Sequence, residues 1–243
     1  MKTTILTDVN ALARAAAEFF ITQAQWALQS NGRFSVALAG GSTPRALYQH
    51  LADIPLAWEN IHLFWGDERC VPPDHADSNY RMTAESLLAR IRIPPENIHR
   101  ILGELPPDEA ALRYENGLRQ FFDDAPRFDL ILLGLGDDGH TASLFPASPA
   151  LRELTRWVVA VPHAIPPPPL VPRVTLTFPV INAARQIVFL VSGAGKAERL
   201  ADVLQPRPAD HPLPAQLIRP ASGDLLWLVD KPAAALLPAD AVG

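Results

Sequence analysis

The chain has 243 residues, of which 48% are hydrophobic and 19% are charged, and its formal net charge at pH 7 is −5. This length allows one large α/β domain or two small ones, and the negative charge argues against nucleic acid and anionic membranes as partners. Because Cys70 is the only cysteine, an intrachain disulfide framework and a cysteine-based metal site are excluded. The N-terminal stretch lacks the features of a signal peptide, and no stretch approaches the ~18 apolar residues of a membrane span. We therefore expect a cytoplasmic protein.

Helix and strand signals alternate along the chain. An Ala-rich helix over 9–29 is predicted to start at an Asp8 cap and to end at Gly32. The further predicted strands cover 34–40, 61–68, 128–136, 157–162, 173–178, 186–193 and 224–230. The further predicted helices cover 41–51, 78–91, 108–122 and 196–204. Thr43 is the predicted N-cap of the helix over 41–51, with Pro44 as its first residue, and the helix over 78–91 is capped near Ser78. This alternation predicts an α/β fold, with a mostly parallel sheet covered by helices on both faces. Without an internal repeat or a break in composition, a single domain over 1–243 is expected.

Ligands of parallel α/β sheets bind beyond the carboxyl ends of the strands, so the turns after the strands are the candidate sites. The first, "LAGGSTPRALY" (38–48), leads through Gly40, Gly41, Ser42 and Thr43 into a helix. Glycine lets a backbone approach a ligand closely, and N–H groups at a helix start attract phosphate. A phosphate-binding turn is favoured over an ordinary tight turn, but without G-K-[ST] it is not a nucleotide P-loop.

A second turn places the charged residues Asp67, Glu68 and Arg69 directly after a buried strand. Charges at such a position are costly unless they are paired or used, and a salt-bridged strand end is the structural alternative. The guanidinium of Arg69 is suited to hold a phosphate or a developing oxyanion.

A third turn, "LILLGLGDDGHTASLFP" (130–146), contains a G-x-G-x-x-G pattern ending at Gly139. A dinucleotide fingerprint should open a helix near the start of the fold, with an acid at the end of the next strand. Here the pattern lies in mid-chain, two prolines follow it, and the strand over 157–162 ends without an acid. These departures argue against NAD.

The same turn places His140 beside two carboxylates. A lone histidine is more often structural, but imidazole at a strand end is suited to general-base catalysis, and Asp137 or Asp138 could orient its ring. Because no serine or cysteine nucleophile elbow is present, the pattern favours an activated water as the nucleophile.

The fourth candidate site combines Arg173, at the start of a strand, with Lys196, at the start of a helix. Either alone is typical of a surface charge. A lysine at a helix N-terminus opposes the helix dipole, which points to anion binding. With Ser42 and Thr43 the two cations would form a small phosphate clamp.

Taken together, "LAGGSTP", "WGDERCVPPDHADSNYRM", "LGLGDDGHTASLFP", "PRVTLTFPVINAAR" and "SGAGKA" resemble the 6-phosphogluconolactonases over nearly the entire chain. The resemblance implies a modified Rossmann-like fold, no cofactor and no metal. It also implies hydrolysis of 6-phospho-D-glucono-1,5-lactone, a step of the oxidative pentose phosphate pathway. A monomer or weak dimer is expected. By the same resemblance His140 is the general base, Arg69 is expected in the substrate pocket, and Arg173 and Lys196 bind phosphate with the 40–43 turn. Arg69, Asp67 and Asp138 are further catalytic candidates, with the individual roles of the two acids left open, and Arg69 and Gly139 are candidates for substrate binding.

The related glucosamine-6-phosphate deaminases are the main alternative, and a non-catalytic sugar-phosphate-binding protein is another. The deaminases carry a glutamate where Phe145 precedes Pro146, and D-E-Y where this chain has D-E-R at 67–69. The proton transfers of a deaminase need an acid where this chain has Phe145, so this residue favours the lactonase. One departure from the lactonases is the loop "HAIPPPPLVPR" (163–173), which lacks a lysine that many relatives carry. Whether His163 replaces it stays open.

Overall fold

A parallel sheet forms the centre of the molecule. The computed structural model describes residues 1–123, 125–163, 167–205 and 212–238, and within these residues seven strands form that sheet. Numbered along the chain, the strands of the molecule are β1 (Lys2–Leu6), β2 (Phe34–Leu38), β3 (Ile61–Trp65), β4 (Asp67–Arg69), β5 (Ile98–His99), β6 (Leu130–Leu133), β7 (Val158–Val161), β8 (Arg173–Leu176), β9 (Gln186–Val191) and β10 (Asp224–Asp230). The order across the sheet is β1-β10-β9-β6-β2-β3-β5.

Helices cover both faces of this sheet. They are α1 (Val9–Asn31), α2 (Ser42–Leu51), α3 (Asn79–Ser86), α4 (Pro107–Phe122), α5 (Phe178–Ala183) and α6 (Ala197–Leu204). Every residue of β2 and β6 is buried, and because successive side chains of a strand point to opposite faces, both faces must be covered. The predicted α/β class with a mostly parallel sheet is confirmed. No helix in the described part of the chain is long and apolar enough to cross a membrane.

Local capping signals set several helix ends. The Asp8 carboxylate accepts a hydrogen bond from the N–H of Ala11, and Ser78 caps α3 through the N–H of Arg81, as predicted from side chains that satisfy free N–H groups. Gly32 ends α1 in the left-handed conformation, at φ +71°.

The prediction that Thr43 caps α2 is wrong. The helix begins at Ser42, its N-cap is Gly41 at φ +103°, and no side chain caps it. Pro44 is therefore the third residue of the helix. A positive φ is open to glycine, and it lets the chain turn into the helix two residues earlier than a threonine cap would.

The stretch 61–68, predicted as one strand, is two strands in different sheets. The backbone of Gly66 bonds the main sheet through Leu38 and the second sheet through Leu176, and the chain then continues as β4. With β8 and β7, β4 forms an antiparallel three-stranded sheet in the order β4-β8-β7. The strands predicted over 157–162 and 173–178 thus lie in this second sheet and not in the parallel one.

Three short or peripheral elements had no predicted counterpart: β1 and β5 at the two edges of the main sheet, and α5. The prolines of 164–166 and 206–211, predicted to lie in extended connectors, fall outside the described residues.

The sheet reverses its winding direction between β2 and β6. From β2 the chain moves outward through β3 to β5, and from β6 it moves the opposite way through β9 to β10. In open α/β sheets, ligands bind at the carboxyl ends of the strands that flank this reversal. The turns after β2 and β6, which carry Gly40 and His140, are those ends.

Candidate active site

A cleft of ≈ 280 Å³ opens at this reversal point. Its walls come from the turns after β2 and β6, from the second sheet, from the start of α3 and from the proline-rich loop. Of the residues predicted for the site, the cleft is lined by Gly40, Gly41, Asp67, Arg69, His140, Arg173 and Lys196. The topology therefore brings together residues from all four predicted clusters.

His140 is oriented by Asp138. Its ring Nδ1 lies 2.5 Å from Asp138 Oδ1, and its backbone N–H donates to the same oxygen at 3.0 Å. Partial burial raises the pKa of the Asp138 carboxyl, but the hydrogen bonds from the His140 ring and backbone outweigh it, so the net pKa is lowered. An ionised carboxylate only accepts hydrogen bonds, so Nδ1 carries the ring proton and Nε2 keeps a lone pair. The ring is 21% exposed, so water can reach it.

The His140 ring is packed between a glycine and an aromatic side chain. An added Cβ at Gly136 would lie 2.1 Å from Nδ1, so only glycine leaves room for the ring. Phe145 contacts the ring at a centroid distance of 4.5 Å, and His163 stacks on Phe145 at 4.2 Å. His163 Nε2 lies 2.6 Å from the carbonyl oxygen of Pro167. His163 thus supports the wall behind Phe145 and does not line the cleft.

Two arginines face the cleft from adjacent strands. Arg69 on β4 lies directly opposite Arg173 on β8 in the antiparallel pairing. Arg69 donates to the carbonyl of Asp77 and Arg173 to that of Pro169, and the Nε of each is buried with no hydrogen-bond partner in the described part of the chain. Within the described residues neither makes an ion pair with a carboxylate.

This arrangement favours an anion. Arg173 is 4% exposed, and burial, followed by the neighbouring Arg69 charge, lowers its pKa against the opposing effect of the nearby carboxylates. Two neighbouring guanidinium charges repel each other, and an anionic ligand would offset that cost.

Lys196 also lines the cleft. Its Nζ lies 2.5 Å from Asp137 Oδ1, and the Asp137 side chain is 77% exposed. An ion pair with so exposed a partner contributes little to stability, so a phosphate could take the place of the carboxylate at small cost. Asp137 is therefore the partner of Lys196, whereas Asp138 is the partner of His140.

The predicted phosphate turn contributes to the cleft through its glycines. Gly40 and Gly41 line it, whereas the side chains of Ser42 and Thr43 stand at the start of α2 outside the lining residues. The first N–H groups of a helix have no partner within it and are available to an anion. Gly139, at φ +85°, shapes the histidine turn and does not line the cleft.

The neighbouring acids of β4 have different surroundings. Glu68 is buried, and its carboxylate accepts from the N–H groups of Arg69, Asn79 and Tyr80 and from the Ser78 hydroxyl. Burial raises its pKa, and the backbone hydrogen bonds oppose this shift. Glu68 therefore anchors the start of α3, whereas Asp67 lines the cleft.

Sequence reasoning missed two polar residues of the site, Asn79 and Ser143. The Asn79 amide packs against Gly40, where a Cβ would lie 2.0 Å from its Oδ1, and donates to the carbonyl of Asp67 at 3.0 Å. The Ser143 hydroxyl donates to the Asp67 carboxylate. Asn79 immediately follows the recognised Ser78 cap, but nothing local shows that its side chain turns toward Gly40.

The fold and the cleft define an α/β enzyme with a carboxylate-oriented histidine and a cationic wall suited to a small anionic substrate. No group of three or more potential metal ligands occurs among the described residues.

Comparison with known proteins identifies the family. The profile of the glucosamine-6-phosphate isomerases/6-phosphogluconolactonase family matches residues 7–227. A 6-phosphogluconolactonase of Nostoc is 43% identical over 238 residues, covering 96% of this chain and 97% of that protein. The human 6-phosphogluconolactonase is 43% identical over 215 residues, covering 86% and 82% of the two chains. A crystal structure of 6-phosphogluconolactonase from Thermotoga maritima superposes with a TM-score of 0.84 at 35% identity, covering 95% and 99%. The chain belongs to the glucosamine-6-phosphate isomerase/6-phosphogluconolactonase family.

Proposed function

We propose that this chain hydrolyses 6-phospho-D-glucono-1,5-lactone to 6-phospho-D-gluconate without a cofactor, with His140 as the general base. The observation that carries the proposal is the 43% identity to proteins named 6-phosphogluconolactonase over almost the whole chain. The cleft supports it, since it combines one oriented base with cations for a phosphate. The alternative of a deaminase is not supported at Phe145, where a buried phenyl ring beside the base replaces the glutamate of the deaminases.

The phosphate group is held by Arg173 and Lys196 together with the N–H groups at the start of α2. Arg173, Lys196 and the glycine turn before α2 all line the cleft, which supports a shared phosphate site. The phosphate replaces the carboxylate of Asp137 at Lys196 and supplies the missing partner of Arg173. Binding at this end fixes the sugar ring and brings its lactone carbonyl to the histidine turn.

The reaction is the addition of water to the lactone carbonyl. His140 Nε2 takes a proton from water as the water oxygen bonds to the carbonyl carbon, which produces a tetrahedral oxyanion. Asp138 holds the ring and stabilises the imidazolium that forms. General-base catalysis of this kind typically contributes about 10²–10⁴-fold, which suffices for a substrate that is already an activated ester.

The oxyanion is stabilised by Arg69 or by N–H groups of the glycine turn. As the intermediate collapses, the bond between the carbonyl carbon and the ring oxygen breaks. His140 then returns its proton to that oxygen, which leaves a free hydroxyl and a carboxylic acid. The acid ionises at neutral pH, so each turnover releases one proton to the medium.

The proposal includes a cytoplasmic monomer or weak dimer that acts on a small phosphosugar lactone. All the groups that the mechanism uses come from one chain, which is consistent with a site that is complete in each subunit.

The test is proton release from freshly prepared 6-phosphoglucono-δ-lactone, measured against the spontaneous rate. Wild-type protein should accelerate the release, and His140→Ala should lose most of the gain in kcat with KM nearly unchanged. Unchanged turnover in the variant would overturn the assignment of the base. If the wild type gives no acceleration, ammonia release from glucosamine 6-phosphate tests the deaminase, and phosphosugar binding without turnover indicates a binding protein.

A further inference from the structure

The site is assembled from two separate parts of the fold. His140 lies on the turn that follows β6 of the parallel sheet, whereas Arg69 and Arg173 lie on β4 and β8 of the antiparallel sheet. Neither sheet alone sets the distance between the base and the two cations. A contact that joins the histidine turn to the second sheet is therefore needed to keep the two parts in register.

Ser143 makes that contact twice. It lies three residues after His140, and it is completely buried. Its hydroxyl donates to Asp67 Oδ2 at 2.6 Å, and its backbone N–H donates to the Thr175 hydroxyl at 3.2 Å. Asp67 and Thr175 are directly opposite each other in the pairing of β4 with β8. Ser143 thus bonds to both strands that carry the arginines.

The same contact orients the Asp67 carboxylate. Asp67 is 7% exposed and lines the cleft. Ser143 occupies its Oδ2, whereas within the described residues Oδ1 has one long contact, 3.4 Å, with the Asn79 amide. That amide makes its shorter bond, 3.0 Å, to the Asp67 carbonyl. Oδ1 therefore retains capacity to accept a further hydrogen bond.

We propose that Ser143 is a positioning residue that acts through Asp67. It holds the histidine turn against β4 and β8, and it fixes the Asp67 carboxylate so that Oδ1 accepts a hydrogen bond from a hydroxyl of the sugar ring. The inference rests on the proposed function, because a polyhydroxylated substrate supplies that donor. Ser143 forms no covalent bond with the substrate, since its buried hydroxyl is committed to the carboxylate.

A matched control exists at the amino ends of the central strands β2 and β6, away from the cleft. Ser35 on β2 is also buried, at 2% exposure, and its hydroxyl donates to the buried carboxylate of Asp129 at 2.8 Å. Ser35→Ala and Ser143→Ala each remove a hydroxyl that donates to a buried carboxylate, and the Ser35 hydroxyl also accepts from the N–H of Asp129 at 3.1 Å. Only Ser143 is joined to the cleft. Ser35→Ala should lose at least as much stability as Ser143→Ala, so a purely structural role predicts no lower activity for Ser143→Ala than for Ser35→Ala.

The experiment compares kcat and KM for the lactone, and the Kd for 6-phosphogluconate, in the wild type and both variants at a temperature where circular dichroism shows all three folded. Loss of a buried hydrogen bond to a charged group should reduce kcat/KM of Ser143→Ala by about 10–100-fold, and Ser35→Ala by less than about threefold. If Ser143→Ala does not fold, Ser143→Cys, which keeps the size of the side chain but donates weakly, takes its place.

A double-mutant cycle tests the route through Asp67. Adding Ser143→Ala to Asp67→Asn should cause little further loss, because the group that Ser143 orients is already changed. If the losses of activity in the two single variants multiply in full, the inference is wrong. It is also wrong if Ser143→Ala and Ser35→Ala are equally active. Neither result contradicts the lactonase proposal. A wild type that neither hydrolyses the lactone nor binds 6-phosphogluconate overturns both.

Discussion

Replacing Asp138 by asparagine tests how the base is prepared. In the structure Asp138 Oδ1 accepts from both the ring Nδ1 and the backbone N–H of His140. Asparagine has nearly the same shape but can present N–H to Nδ1. The ring proton would then move to Nε2, and the nitrogen that faces the water would lose its lone pair. The variant should therefore be folded but poorly active.

The magnitude follows from the strength of that hydrogen bond. A hydrogen bond to an ionised group contributes about 1.5–3 kcal/mol, and each ~1.4 kcal/mol in the barrier is a factor of about ten in rate. The two side chains are 21% and 32% exposed, so solvent weakens the interaction only in part. We expect kcat to fall by about 10–100-fold, with KM within about threefold of the wild type, because the interaction strengthens as the imidazolium forms.

The assay is proton release from fresh lactone under initial-rate conditions, corrected for spontaneous hydrolysis. Asp202→Asn is the control, since Asp202 is a similarly exposed carboxylate that pairs with Arg199 at 2.9 Å outside the cleft, and its variant should retain wild-type rates. An Asp138→Asn enzyme with undiminished kcat would refute the idea that this carboxylate sets the ring tautomer. A loss confined to KM would place Asp138 in substrate binding instead.

Arg173→Met should raise KM by about tenfold or more. Because it removes a buried charge, thermal unfolding should show a Tm no lower than that of the wild type, but 6-phosphogluconate should stabilise the variant little. A normal KM would exclude Arg173 from phosphate binding. Lys196→Ala should raise KM with kcat nearly unchanged, and an unaltered KM in initial-rate measurements would remove the lysine from the site. Gly136→Ala should lower kcat in a folded protein, because the added Cβ would lie 2.1 Å from the His140 ring; wild-type kcat would show that the ring position is not required. Burial lowers the pKa of His99 to about 4, below the ordinary value of ~6.5, so the unfolded chain takes up this proton first as the pH falls. The free energy of unfolding should decline by about 1–2 kcal/mol between pH 7 and 4 from this group, after allowance for its partial exposure, and urea titrations of His99→Gln should show a correspondingly smaller decline.

The strand–helix alternation and several helix ends were predictable because their causes are local. The Asp8 and Ser78 caps each satisfy an N–H three residues away, and the Gly32 C-cap depends on the φ of one residue. The candidate turns were also predictable, since charged residues after apolar strands stand out in the sequence. The division of 61–68 between two sheets was not, because Gly66 changes sheets through hydrogen bonds to Leu38 and Leu176, which are distant in the chain.

The sequence by itself determined the α/β class, the positions of the turns that form the cleft and the residue types available there. Only the tertiary structure decided how those residues pair. It assigned Asp138 to His140 and Asp137 to Lys196, although the two acids are adjacent. It also placed Arg69 and Arg173 side by side, with no carboxylate partner among the residues that the structure describes. In the tertiary structure Glu68 accepts a hydrogen bond from the first residue of α3, and the Ser143 hydroxyl donates to Asp67, 76 residues away in the chain. The Asp138–His140 contact lies within one turn. The pairings between residues distant in the chain depend on the sheet order and on strand register, which no local pattern encodes.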